Sequence, residues 1–592
     1  MAGKVLEIKQ LLDQDGLACE IARRWQEWND RRKPWLEEKL ELRNYIFQTD
    51  TRKTSNSNLP WKNSTTIPKI CQIRDNLHAN YMAALFPNDD WFKWEAYTEE
   101  DAELPKRQAI EAYMKNKVRE SGFIDVVRRL LYDYIDYGNA FADVEYINEE
   151  IVDEETGEII PGYIGPKACR ISPFDLVFNP AAPDWKSTPK ITRYIKTLGE
   201  LKLEVKEMPG EDWKMEIVEK AEKVRHELAA FSTNDINKVD AFLVDGFGDL
   251  SEYYQSNFVE LIEFEGSINN PVTGEFMEDM IITVIDRSYV VRQTKNPRWM
   301  KGSAKVHSGW RLRPDNLYAM GPLDNLVGMQ YRIDHLENLK ADALDLSVLP
   351  PLGIQGNVED FEWGPMERID MGDDGSIVEL GKNLNGVITA QNDIAQLELK
   401  MEEMAGAPKQ AMGIRTPGEK TAFEVQQLQN AAGRIFQDKV NQFERDIIEP
   451  LLNNMFEIAK RKLDGTDIIR VMDDDIGVTE FMKVTKEDIT AKGKLRPIGA
   501  RHFAAQAQLV QNLNGIFASP VSQLIASHVS GKQLAKMVEE VFGYERFKLF
   551  SEWAAIYEQA EGQAIAMEAQ QQTQLAASTP LTEEEEMLEL QG

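Results

Sequence analysis

Cysteine is scarce in this chain of 592 residues: Cys19, Cys71 and Cys169 stand far apart, and none has the paired spacing of a structural zinc site or a disulfide framework. A reducing compartment is the simplest setting for such usage. Long apolar runs are also missing. Stretches such as Met280–Ile285 stop far short of the ~18 apolar residues of a spanning helix. Lys4, Glu7 and Lys9 break the start of the chain, where a signal peptide would carry its apolar core. The expectation is a protein without an export leader and without direct membrane contact.

The signatures of several chemistries are lacking as well. No Gly-x-x-x-x-Gly-Lys-Ser/Thr stretch is present to wrap a nucleotide phosphate with backbone donors. His226-Glu227 begins like the helix of a zinc protease, but Ala230 stands where the second imidazole is required. Adjacent carboxylates such as Asp373-Asp374 and Asp473-Asp474-Asp475 follow from a total of 99 acidic residues and read as solvated turns, not metal or acid–base sites. The chain therefore reads as a non-enzyme, with no catalytic residue, no metal ligand and no cofactor.

Positive charge is in deficit, 68 Lys and Arg against 99 Asp and Glu, for a net charge of -31. That balance argues against a protein gripping nucleic acid over its whole surface, since such binding works through cation contacts that release counterions. It does not exclude DNA as cargo: an acidic wall repels phosphate and lets DNA slide, although a merely solubilising surface fits the charge equally well. One segment interleaves cations with rings: Arg23, Arg24, Trp25, Trp28, Arg31, Arg32, Lys33 and Trp35. Glu20, Glu27, Asp30, Glu37 and Glu38 intrude on it, so it reads as a packed helix with ion pairs and not as a nucleic-acid patch.

What is present is globular: 42% hydrophobic and 28% charged residues, long enough for several packed units. Apolar residues at three-and-four spacing mark helices at Ile70–Leu85, Ile110–Val118 and Val127–Tyr134, the last two followed by Gly122 and Gly138 as caps. The period then changes to two at Ala142, Val144 and Tyr146, the mark of a half-buried strand, and further strands are expected at Phe258–Phe264 and Met280–Val291, with a charged helix over Asp212–Phe231. The class is α+β, mainly helical.

From residue 321 the pattern is a long helix to 349, carrying Leu323, Leu326, Leu336 and Leu339, and stopped by Pro350-Pro351. Residues 350–386 hold short β-like runs, with Gly372-Asp373-Asp374-Gly375 suited to a hairpin turn between Glu367–Asp370 and Ile377–Leu380. A second helix follows over 387–404, then a breaker-rich loop over 405–420. The strongest helical stripe runs from Val425 to Ile458 and should be kinked by Pro450, with short strands over 467–489 after it. Helices are expected over 498–560, before a Gln- and Glu-rich tail over 561–592 that reads as disordered or helical.

This order of helix, β insert, helix, loop and kinked helix resembles the stem, clip, second stem helix, tunnel loop and wing helix of tailed-bacteriophage portal proteins. Similar wording occurs at Leu131-Tyr132-Asp133-Tyr134-Ile135-Asp136-Tyr137-Gly138-Asn139-Ala140, at Gly321-Pro322-Leu323-Asp324 with His335-Leu336-Glu337-Asn338-Leu339, and at Leu495-Arg496-Pro497-Ile498-Gly499-Ala500-Arg501-His502-Phe503. The resemblance implies a homo-oligomeric ring, a dodecamer, at the capsid vertex of a virion, assembled in the host cytoplasm. Through it double-stranded DNA would be packaged and ejected as a sequence-neutral cargo. It implies an N-terminal wing over 1–320, crown helices over 498–560, and stem packing by Leu323, Leu326, Leu336 and Leu339. The clip, with Asp360, Phe361, Trp363 and Arg368, would dock the terminase large subunit and later the head–tail adaptor and tail proteins; the major capsid protein and a scaffold would be further partners. Lys409, Arg415 and Lys420, which composition alone would leave in an ordinary surface loop, would face the DNA backbone. The alternative is another structural head–tail connector or a capsid-interior scaffold without a DNA channel.

Overall fold

The computed structural model describes residues 16–47, 63–87, 91–98, 101, 104–152, 159–182, 184–207, 213–228, 258–296, 304–348, 352–355, 376–379, 385–405, 435–463, 466–473 and 478–498. The chain divides into two units, Met1–Ile469 with Phe481–Ala500, and Arg470–Glu480 with Arg501–Gly592. Helix and strand are both extensive, and the class is α+β.

The first helix, α1 (Gly16–Phe47), buries Leu17, Ile21, Trp25 and Trp28 against Ile191, Ile262, Phe264, Ile282 and Val284. The three-and-four spacing of the first set puts it on one helix face, and the alternation of the second puts it on one sheet face. The outer cations of α1 are paired locally, Arg23 and Arg24 with Glu20 and Arg31 with Glu27, so the Arg/Trp segment is a packed helix. Arg32 turns inward instead. It donates from Nη1 to the carbonyls of Pro173 and Leu176 at 2.7 Å each, from Nη2 to that of Phe174 at 2.5 Å, and from Nε to Asn29 Oδ1 at 3.0 Å.

The helices α2 (Lys69–Leu85), α3 (Leu104–Glu120) and α4 (Phe123–Asp136) bury the residues that their spacing selects, among them Ile73, Tyr81, Tyr113, Leu131 and Tyr134. Gly138, after α4, has φ 71°, and a Cβ there would meet the backbone nitrogen of Gly321 at 2.4 Å, so only glycine fits. A strand β1 (Phe92–Ala96) lies between α2 and α3. The strands that follow are β2 (Asn139–Val152), β3 (Ile159–Ile171), β4 (Leu176–Phe178) and β5 (Lys190–Thr197). After α5 (Leu198–Glu207) and α6 (Met215–Leu228) come β6 (Phe258–Asn269), β7 (Phe276–Ile285), β8 (Tyr289–Lys295) and β9 (Val306–Gly309).

They form two antiparallel sheets, β3-β2-β9 and β4-β5-β6-β7-β8. At the β7–β8 turn Asp286 and Arg287 have φ of 47° and 58° without being glycine. This costs on the order of 1–2 kcal/mol per residue. The Arg287 guanidinium offsets it by gripping both carboxylate oxygens of Glu260 at 2.9 and 2.8 Å.

Farther along, β10 (Arg311–Arg313) and β11 (Asn316–Met320) form a hairpin, α7 (Val327–Val348) and α8 (Asn385–Met404) flank β12 (Leu352–Gln355) and β13 (Ser376–Glu379), and α9 covers 435–462. Pro450 does not break α9. Residues Glu444–Ile448 form a π-helical turn, in which the Glu449 amide reaches the Glu444 carbonyl. The widened turn relieves the crowding between the proline ring and the preceding carbonyls. Phe443, Ile447, Leu451 and Met455 carry the stripe inward, while Ile435 is exposed; residues 425–434 lie outside the described ones. After β14 (Thr466–Asp473) and β15 (Val478–Thr485), which pair, a short turn of helix α10 (Lys486–Ile489) breaks the expected run of strand before β16 (Gly493–Pro497). Thr485 and Asp488 cap it reciprocally, and this local box favours helix at its start. β16 returns to β1, pairing Phe92 with Pro497 through to Ala96 with Gly493.

Candidate functional site: a helical stalk rooted in the body

The stalk begins at a 3₁₀ turn, Asp324–Leu326, so α7 proper starts at Val327 and not at 321. Leu323 and Leu326 belong to this root and are fully buried; Leu336 is buried one side of the helix farther on. Asp324 fixes the root by accepting from the Gly321 amide at 2.8 Å and pairing with the Lys39 ammonium of α1. Burial pushes the Lys39 ammonium below its ordinary range, and Asp324 opposes that shift.

One face of α7 is a ladder of polar side chains four residues apart: Gln330, Asp334, Asn338 and Asp342. An extended segment, residues 63–68, lies along it and leads into the first turn of α2. Asp342 Oδ1 accepts from Asn63, Asn338 Oδ1 from the Thr65 amide at 2.8 Å, and Asp334 from Thr66 Oγ1 at 2.8 Å and the Ile67 amide at 3.1 Å. Gln330 Oε1 accepts from the Ile70 amide, and its Nε2 donates to the Ile67 carbonyl. Helix side chains thus stand where a neighbouring strand would offer backbone partners. Burial pushes the Asp334 carboxyl upward, and its hydrogen bonds hold it back.

The second helix, α8, packs along α7, with Arg332 3.7 Å from Asp393. It returns to the body at Met401, Glu402 and Ala405, all buried, where Glu402 pairs with Lys69 of α2 at 2.7 Å. The distal half is different. Beyond Asn338, α7 has no buried residue. Leu339 is 39% exposed, and Leu344, Leu346 and Val348 stand out further, Val348 at 76%; on α8, Ile388 is 62% exposed. By its 22 residues α7 spans about 33 Å.

Beyond the helices, β12 pairs with β13 from Leu352 with Glu379 to Gln355 with Ser376. The run at Ile377 therefore pairs with Leu352–Gln355; Glu367–Asp370, the partner expected from the turn composition, lies outside the described residues. Asp360, Phe361, Trp363 and Arg368 lie outside them too, as do Lys409, Arg415 and Lys420 and the segments 498–560 beyond Ile498 and 561–592.

Among the described residues, no group of three or more His, Cys, Asp and Glu could hold a metal ion, and no helix is long and apolar enough to cross a membrane. Spacing pointed to the apolar residues of the stalk root; the ladder and its strap it did not, although four polar residues at strict four-residue spacing are visible once the helix is known. No family model and no curated protein matches this chain.

Proposed function

We propose that the chain is a subunit of a ring of the kind built by tailed-phage portal proteins, a dodecamer at the capsid vertex through which double-stranded DNA passes. The observation that carries this reading is the stalk: two packed helices joined through a β-paired segment, rooted by buried ion pairs, whose distal halves present Leu344, Leu346, Val348 and Ile388 to no partner within the described chain. Apolar helix faces left bare in one copy are covered when copies pack around a closed cyclic axis.

In this reading α7 and α8 are the stem, 350–386 the clip that docks the terminase large subunit and then adaptor and tail proteins, and 405–420 the tunnel loop, whose Lys409, Arg415 and Lys420 meet phosphates without reading bases. The body before residue 321, with α9 and the strands after it, is the wing, and 498–560 the crown. Capsid protein and scaffold would contact the outside of the ring. The protein would act by geometry, without catalysis or cofactor, and fuel hydrolysis would rest with the terminase.

Light scattering and two-dimensional electron-microscopy classes of the purified chain test the reading. The expected result is a closed ring with a DNA-wide hole, disrupted by Leu344→Glu with Leu346→Glu while the subunit stays folded. A stable monomer of 67.6 kDa overturns it, and a ring without such a hole favours a connector that is not a conduit.

A further inference from the structure

The five-stranded sheet has an unusual second face. Its first face is apolar and covered by α1. On the other, Thr192, Glu263, Thr283 and Arg292 stand in one cross-strand row over β5, β6, β7 and β8, with Glu265 beside them on β6. Alternating polar residues normally face water; here they face β2, β3 and α9 across a cavity of about 610 Å³. Its walls include Asp143, Val144, Leu261, Ile281, Trp213 and Asn454.

Most charges around the cavity are already matched. Lys305 donates to Glu263 Oε1 at 2.8 Å and to Thr192 Oγ1 at 2.9 Å, and lies 3.5 Å from Glu265 Oε2. Lys196 pairs with Glu204 at 2.6 Å, Arg292 lies over the Trp213 ring, and Arg461 and Lys462 are exposed at the rim. Two acceptors remain, besides one donor, the indole Nε1 of Trp213. Glu265 and Thr283 are each only 3% exposed, and Glu265 Oε1 and Thr283 Oγ1 have no hydrogen-bond partner. Lys305 approaches only the Oε2 side of that carboxylate, so a donor from a bound cation would satisfy Oε1. Nearby, burial and then the Asp143 carboxylate push the Glu145 carboxyl upward, and the Lys196 ammonium opposes the shift.

We infer that this cavity binds a small organic cation, a primary ammonium or guanidinium group on a short aliphatic chain. Glu265 is its counterion, Thr283 accepts a second hydrogen bond, and Leu261, Ile281 and Val144 line the wall for the aliphatic part. The volume is within the range of small-molecule sites. The site is independent of ring formation, since its lining comes from one chain.

The test is calorimetric titration of the full-length protein with n-butylammonium, diaminobutane and propylguanidinium, against sodium chloride of equal ionic strength and sodium butyrate. Saturable binding of at least one cation is expected, weakened roughly tenfold or more by Glu265→Gln. Thr283→Val, which keeps shape and removes a hydroxyl that has no partner, is expected to weaken it severalfold without lowering the melting temperature. It carries the test alone if Glu265→Gln does not fold. No saturable binding up to about 10 mM, binding equal to that of butyrate, or binding unchanged in Thr283→Val overturns the inference.

Discussion

The guanidinium of Arg32 ties α1 to three consecutive-turn carbonyls, of Pro173, Phe174 and Leu176, in the approach to β4. Removing it strands buried acceptors at about 1–3 kcal/mol each, so Arg32→Met is expected to lower unfolding stability by roughly 3 kcal/mol or more, read from urea midpoints. Arg32→Lys should recover little, because one ammonium cannot reproduce the planar fork. His307 offers a second residue-level test. Its ring lies 4.8 Å from that of Phe141 and 4.7 Å from that of Trp185, and its Nε2 is 3.0 Å from Asn139 Oδ1. Desolvation, with Lys190 adding to it, pushes the imidazole down to about 3. The folded state then binds a proton less readily than the unfolded chain between about pH 3 and 6.5, so this group's stabilising contribution is complete above 6.5 and is lost as pH falls. His307→Gln is expected to flatten the fall in stability between about pH 6 and 4 by close to one proton, or about 1.4 kcal/mol per pH unit. An unchanged slope in denaturation curves across that range would show that the ring does not titrate in this way.

Among the elements, the strap on α7 makes the most local prediction. Asn338→Ala removes the acceptor of the Thr65 amide, and Asp334→Ala that of the Ile67 amide. Hydrogen exchange is expected to quicken at Thr65 in the first variant and at Ile67 in the second, by roughly tenfold for each 1.4 kcal/mol of lost local protection. Amides inside the first turns of α7 should keep their rates. Uniform quickening of the whole helix would mean that the strap supports α7 rather than being held by it. The same contrast explains what could be read in advance. The spacing of Ile70, Ile73, Leu77 and Tyr81 was enough to place α2, because the burial pattern of a helix is written in its own residues. The Thr66–Asp334 bond joins residues 268 apart, and no periodicity encodes such a pairing. The spacing predicts a kink at Pro450, and α9 instead takes a π turn over Glu444–Ile448 just before it; whether a helix meets a proline by bending or by a π turn depends on what packs around it. The polar face over the cavity was hidden for a related reason. Asp143 alternates with Ala142 and Val144 on β2, a period that by itself turns it to solvent, yet it is buried and lines the cavity together with Glu263 and Thr283 of the five-stranded sheet.

For the whole molecule, charge and the bare stalk pull in opposite directions. Each copy carries -31, so copies repel, while the exposed leucines of α7 favour contact. Screening shortens the repulsion from about 10 Å at 0.1 M salt to about 3 Å at 1 M, and leaves apolar burial largely intact. The fraction of assembled protein in light scattering is therefore expected to rise between about 0.05 and 0.5 M sodium chloride; a fall would place ion pairs, not apolar contacts, at the interface. The pairing of β1 with β16 adds a constraint of another kind, one of timing. Glu95 and Arg496, which meet across it, are 401 residues apart in the chain. At about 5–20 residues per second of synthesis, the first strand leaves the ribosome roughly 20–80 seconds before its partner exists. During that interval Phe92 and Trp94 lack the strand that will cover their edge. The newborn chain therefore waits with an unpaired aromatic strand, and it is in this interval that a chaperone would have most to protect.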